Sequence, residues 1–122
     1  MRIVREGGFC PRGERMVRRA ARLAGFGGTL ELRAGPRVDS EDQIWGMFYP
    51  PERIVLWTQR NPPVDQFMNF LHELGHHDRY ARGKYNPIVS YAKRGQYHHD
   101  PEERAAERHA KKLMSMLGLV KK

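Results

Sequence analysis

Two histidines four positions apart, His72 and His76, enclose Glu73-Leu74-Gly75 in the pattern HExxH. On a helix such residues stand on one face, one turn apart, so both imidazoles can aim a ring nitrogen at a single metal ion. Glu73 then reaches a water at that ion and acts as general base. The pattern points to metal-assisted hydrolysis, most often of a peptide bond.

Catalytic zinc usually takes three protein ligands and keeps one open position, so a third ligand must come from elsewhere in the chain. With Glu103 at zero and about 100° per residue, Ala106, Glu107, Ala110, Met114 and Leu117 all fall within roughly 60° of it. Two carboxylates therefore lie on the apolar stripe of one helix. A buried carboxylate needs a metal, a donor or a cation. Glu103 is the candidate third ligand. Glu107, one turn later, is placed to accept a hydrogen bond from the free ring nitrogen of a ligating histidine and so to fix its tautomer.

Other assignments compete. Glu103 also stands third after Asp100, where glutamate closes a capping box. His98 and His99, just ahead of that helix, are rival third ligands. Glu102 is rotated about 100° from Glu103 and is expected to support the helix dipole. By the same rotation His77 is expected at the surface, and His109 is expected to be solvated. A metzincin needs glycine three and histidine six residues after the second motif histidine; Arg79 and Arg82 stand there instead.

The elements that position these residues are legible in the pattern. Arg12 to Ala24 forms an amphipathic helix, with Met16, Val17, Ala20, Leu23 and Ala24 opposite Arg15, Arg18, Arg19 and Arg22. Gly25, Gly27 and Gly28 end it. Thr29 to Arg33 alternates as a half-buried strand, and Gly35-Pro36 stops it. Ile44 to Tyr49 and Arg53 to Trp57 read as a hairpin around Pro50-Pro51-Glu52. The motif helix is predicted from about Pro62 to Tyr80, with Asn61 as its cap. Ala81 to His99 loses periodicity and reads as a long ordered loop. A last helix starts at Asp100-Pro101 and ends at Gly118.

The chain of 122 residues suits one domain, 1–122, with one modest core. Its expected class is α+β: an N-terminal helix, a small, mostly antiparallel three-stranded sheet, the HExxH helix and a C-terminal helix carrying the third ligand. No apolar run approaches the roughly 18 residues that cross a bilayer, and the N-terminus lacks a signal-peptide core, so a cytoplasmic location without membrane contact is expected. The single Cys10 cannot form an intramolecular disulfide. A formal charge of +8 favours acidic partners and allows weak electrostatic contact with nucleic acid, without establishing it.

From about Gly46 to Met114 the sequence resembles the gluzincin class of zinc peptidases, and within it the ImmA/IrrE-like metallopeptidases. The resemblance rests on Gly46-Met47-Phe48-Tyr49, Ile54-Val55-Leu56-Trp57, His72-Glu73-Leu74-Gly75-His76 and Glu103-Arg104-Ala105-Ala106-Glu107-Arg108-His109-Ala110, in the family's order. It implies a minimal zincin-like domain holding one zinc ion through His72, His76 and Glu103, with Glu73 as base and Glu107 as supporting acid. Ala105 departs from the usual internal glutamate, Glu107 from the usual Asp or Asn, and His109 from an aromatic residue. In the family, such enzymes often cleave helix-turn-helix repressors.

The expected activity is thus a zinc endopeptidase acting on a protein or peptide partner, with an oxyanion donor among Tyr97, His98 and His99, or Tyr85 and Tyr91 in the same segment. Two alternatives stand beside it. One is a SprT-like, DNA-associated protease ligating zinc through His98 or His99. The other is a nucleic-acid-binding or regulatory module with structural zinc, in which Arg15, Arg18, Arg19 and Arg22 meet phosphates. An extended substrate is expected to pair with a sheet edge near Ile44 to Tyr49 or Ile54 to Trp57.

Overall fold

A computed structural model describes residues 1–6, 11–33, 46–57, 63–85 and 101–118. Among them the chain runs β1 (Arg2–Arg5), α1 (Pro11–Ala24), β2 (Thr29–Arg33), β3 (Gly46–Tyr49), β4 (Arg53–Trp57), α2 (Pro63–Ala81) and α3 (Pro101–Met116). The class is α+β. Gly25 takes φ 69° after α1 and Gly118 φ 72° after α3, the left-handed conformation that ends a helix without a Cβ clash.

The sheet corrects the expectation of three mostly antiparallel strands: among the described residues it has four, in the order β1-β2-β4-β3. β1 and β4 both pair parallel to β2, and only β3 and β4 are antiparallel. Parallel neighbours need a crossover, and α1 supplies the one between β1 and β2. β1 escapes a reading by pattern because Ile3 and Val4 sit between arginines, so no alternation marks it. Its partner lies 27 residues downstream, as in Arg2↔Thr29.

Register gives the sheet two distinct faces. Leu30, Ile54 and Phe48 form one buried row, and Leu32 and Leu56 the next, ending at Gly46. This side packs on the helices with Val17, Ala20 and Ala21 of α1, Phe70, Leu71 and Leu74 of α2, and Ala110 and Leu113 of α3. On the other side Arg53 donates from Nε to Glu31 at 2.8 Å and its guanidinium lies over the Tyr49 ring.

Helix α2 lies at the centre, packed against α1, α3, β3 and β4. Residues 70–77 are all buried. That position makes α2 a central strut rather than a half-solvated helix, with consequences for His77 below. It meets α3 at its tightest point through Gly75, where an added Cβ would sit 2.6 Å from the Cα and carbonyl oxygen of Ala106. Only glycine permits this approach, and it brings the first turns of α3 within reach of the imidazoles on either side of Gly75.

Candidate metal centre

Gly75 lies between His72 and His76, and Ala106 lies among Glu102, Glu103 and Glu107. The close crossing therefore faces two imidazoles with three carboxylates. His72 Nε2 and His76 Nε2 are 3.2 Å apart. Glu103 reaches both, with Oε2 at 2.6 Å from His72 Nε2 and Oε1 at 3.2 Å from His76 Nε2. Ligand atoms of all three residues lie within 4.8 Å of one another, and all three residues are buried.

The opposite ring nitrogens are held from outside. His72 Nδ1 is 2.6 Å from Glu107 Oε1, and His76 Nδ1 is 2.7 Å from Glu102 Oε2. A carboxylate can only accept, so each Nδ1 donates its proton outward, and in the neutral imidazole each Nε2 then turns a lone pair inward. Two imidazole lone pairs and a carboxylate then converge on one point, an arrangement stable only around a cation. A tetrahedral ion with bonds of about 2.0–2.1 Å separates its ligands by about 3.3 Å. The two 3.2 Å spacings match that geometry, while the 2.6 Å from His72 Nε2 to Glu103 Oε2 is a hydrogen-bond distance that would open when an ion enters. His72, His76 and Glu103 thus form a buried group that can hold a metal ion.

The proton equilibria report the same demand for positive charge. Burial pulls His76 down, but hydrogen bonds to Glu102 and Glu103 outweigh it and push the imidazole up to about 10. His72 moves upward as well: burial opposes, while the hydrogen bond to Glu103 and the charge of Glu73 prevail. Burial works to raise Glu103, yet its bonds to His72 and His76 hold it well below the ordinary carboxylate range. Where no metal sits, protons take its place.

Glu73 behaves differently. Burial dominates and drives its carboxyl upward, against the attraction of His76 and His72. An added Cβ on Gly46 would stand 3.3 Å from Glu73 Cγ, so β3 closes directly over this side chain. β3 is an edge of the described sheet, whereas β4 is flanked by β2 and β3. Of the two strands expected to offer an edge, only Gly46–Tyr49 does so.

Three expectations are corrected. Glu102 is 1% exposed and bonded to His76, not displayed at the helix dipole. The 100° between Glu102 and Glu103 is what lets them approach the histidine pair from two sides. His77 is buried, with Phe26 and Phe48 edge-on at centroid distances of 5.0 and 5.9 Å. Because α2 is packed on several sides, leaving the motif face does not bring a residue to solvent. His109 is half-buried, its Nε2 3.8 Å from Asp78 Oδ1.

Glu107 meets His72 as the wheel predicts. Tyr85 is also near, with its ring 5.8 Å from that of His76. Tyr91, Tyr97, His98, His99 and the expected cap Asp100 lie outside the described residues. Neither family models, nor curated proteins, nor solved structures provide a match to this chain.

Proposed function

We propose that the protein is a zinc-dependent endopeptidase that hydrolyses peptide bonds of a protein partner. The observation that carries this reading is the convergence of His72 Nε2, His76 Nε2 and Glu103, with Glu73 on the same helix turn as His72. Two imidazoles and one carboxylate leave a tetrahedral ion one position short, which is the donor set of hydrolytic rather than structural zinc. Zinc, when bound there, supplies Lewis acidity toward a water and a substrate carbonyl.

The chain's own residues supply the rest. Glu73 removes the proton from the attacking water and returns it to the leaving amine. Its burial suits this role, because desolvation raises the carboxyl above its ordinary value and so makes it a stronger base toward water. Glu107 and Glu102 hold the imidazoles in one tautomer. The edge of β3, lying against Glu73, offers main-chain groups to an extended substrate segment.

Glu103 beside both imidazoles supports a His-His-Glu ligand set over one completed by His98 or His99. The nucleic-acid alternative loses part of its basis, since Arg18 is engaged by Glu14 and by the Met1 carbonyl. Arg15, Arg19 and Arg22 remain exposed.

The test is peptide cleavage, read as new N-termini in a mixture of unfolded proteins. Cleavage should occur with the zinc-loaded chain, stop on chelation, return with added zinc, and fall by roughly 10²–10⁴-fold in Glu73→Gln while zinc is retained. Cleavage that survives in Glu73→Gln, or its absence with zinc bound and β3 unobstructed by any tag, contradicts the proposal.

A further inference from the structure

The two histidines are supported unequally. Glu107, which holds His72, has a side chain 55% exposed, whereas Glu102, which holds His76, is 1% exposed. A carboxylate so deeply buried requires a second partner for its other oxygen. Arg79 provides it: its Nε donates to Glu102 Oε1 at 2.8 Å. The same guanidinium donates from Nη2 to the carbonyl oxygen of Lys84 at 3.0 Å, in the turn that ends α2. That turn is itself closed by Lys84 N donating to the Arg79 carbonyl at 2.8 Å, and it leads to Tyr85, whose ring stands against His76.

We infer that Arg79 and Glu102 are positioning residues, forming a relay, buried at Glu102 and half-buried at Arg79, that fixes the tautomer and direction of His76 and thereby sets the metal affinity of the site. This rests on the metal-centre reading above and adds two residues that the HExxH pattern does not include. Glu102 accepts at both oxygens, from His76 Nδ1 on one side and Arg79 Nε on the other. Glutamine cannot replace it, because an amide offers one acceptor and one donor. If its oxygen serves His76, its NH₂ faces the guanidinium. If its oxygen serves Arg79, its NH₂ faces Nδ1, the imidazole proton moves to Nε2, and the lone pair aimed at the metal is lost.

Arginine is also specific at its position. Its planar fork spans Glu102 and the Lys84 carbonyl at once; lysine has one nitrogen and can keep only one of these bonds in good geometry. The relay therefore ties His76 to the end of α2 through main-chain as well as side-chain bonds. Glu107 has no such anchor in the described residues, so loss of its charge is expected to matter less.

The experiment measures zinc and cobalt(II) binding by competition with a chromophoric chelator, alongside the visible spectrum of the cobalt(II) form and thermal melting of the metal-free chain. Glu102→Gln should weaken binding by about 10–100-fold, the range typical of an orienting partner, and alter the tetrahedral cobalt bands. Arg79→Met should weaken binding similarly, Arg79→Lys less, and Glu107→Gln less than Glu102→Gln. Should Glu102→Gln fail to fold, the Arg79 pair decides: equal affinity in Arg79→Lys, Arg79→Met and the wild type overturns the relay. So does affinity in Glu102→Gln within about threefold of wild type, well short of that range. A wild-type chain that takes up no metal overturns the metal-centre reading and this inference together, and is recognised because the loss is not confined to the variants.

Discussion

His72 Nε2 and His76 Nε2 face each other at 3.2 Å, and the other nitrogen of each ring lies on a carboxylate, Glu107 or Glu102. Neighbouring imidazoles at this distance repel through their lone pairs unless a cation lies between them or a proton bridges them. Glu103 adds a negative charge at the same point. The site is thus built around positive charge, and that property underlies the behaviour expected of the protein with and without metal.

Replacing Glu103 by glutamine keeps the shape and removes one ligand charge. Zinc affinity should fall by at least about 100-fold, more than for loss of either orienting acid, whose effect is about 10–100-fold. Chelator competition measures this. Unchanged affinity would assign the third ligand elsewhere.

The metal-free protein should lose stability in alkali. His76 is raised from 6.5 to about 10 in the folded chain, so its contribution is full below 6.5 and disappears as pH rises through about 10. Metal binding runs the other way over this interval, because zinc needs the neutral imidazole and displaces the proton. Melting curves of the two forms should therefore diverge with rising pH, the metal-free Tm falling and the zinc-dependent increment growing. A metal-free Tm that is flat or rises across the interval would contradict the pairing of His76 with Glu102 and Glu103.

Gly75→Ala tests the crossing of α2 and α3. Its Cβ would lie 2.6 Å from Ala106 backbone atoms, which cannot yield as a side-chain tip can. Moving α3 outward carries Glu102, Glu103 and Glu107 with it. Destabilisation of about 1–3 kcal/mol is expected from such overpacking, together with weaker zinc binding. Denaturant unfolding and chelator competition measure the two effects, and a variant unchanged in both would place the helices farther apart than described.

How far the sequence discloses this molecule depends on whether local pattern or tertiary placement decides each feature. β2 falls at the residues its alternation predicts and β4 at those its β-branched and aromatic content predicts, with α1 and α2 within a residue of their expected bounds. Helical periodicity places His72 with His76 on one face and Glu103 with Glu107 on another, and the crossing of α2 and α3 at Gly75 brings the two pairs together. What periodicity misses is set by neighbours. Glu102 lies off the stripe on a wheel, but α3 meets α2 through its first turn, where a wider arc of the helix is covered. His77 is off the motif face, but another layer of the core waits there. β1 has too few residues to show a period, and only its parallel partner makes it a strand.

His77→Phe probes one of these hidden placements. Burial lowers the His77 imidazole below 6.5, so its neutral form contributes stability above that value, lost as pH falls through the lowered one. Its Nδ1 is buried with no hydrogen-bond partner among the described residues, and Phe26 and Phe48 already surround the ring. Phenylalanine should therefore leave neutral-pH stability within about 1.5 kcal/mol and flatten the acid side of the stability profile. A large loss at neutral pH would reveal a polar role for the ring.

X-ray absorption at the zinc edge of the loaded wild-type chain tests the central claim most directly. The expected spectrum corresponds to one zinc per chain with two imidazoles and oxygen donors at about 2.0–2.2 Å. Sulfur scattering, which only Cys10 or a methionine could supply, or a third imidazole in place of the carboxylate, would contradict the assignment of His72, His76 and Glu103.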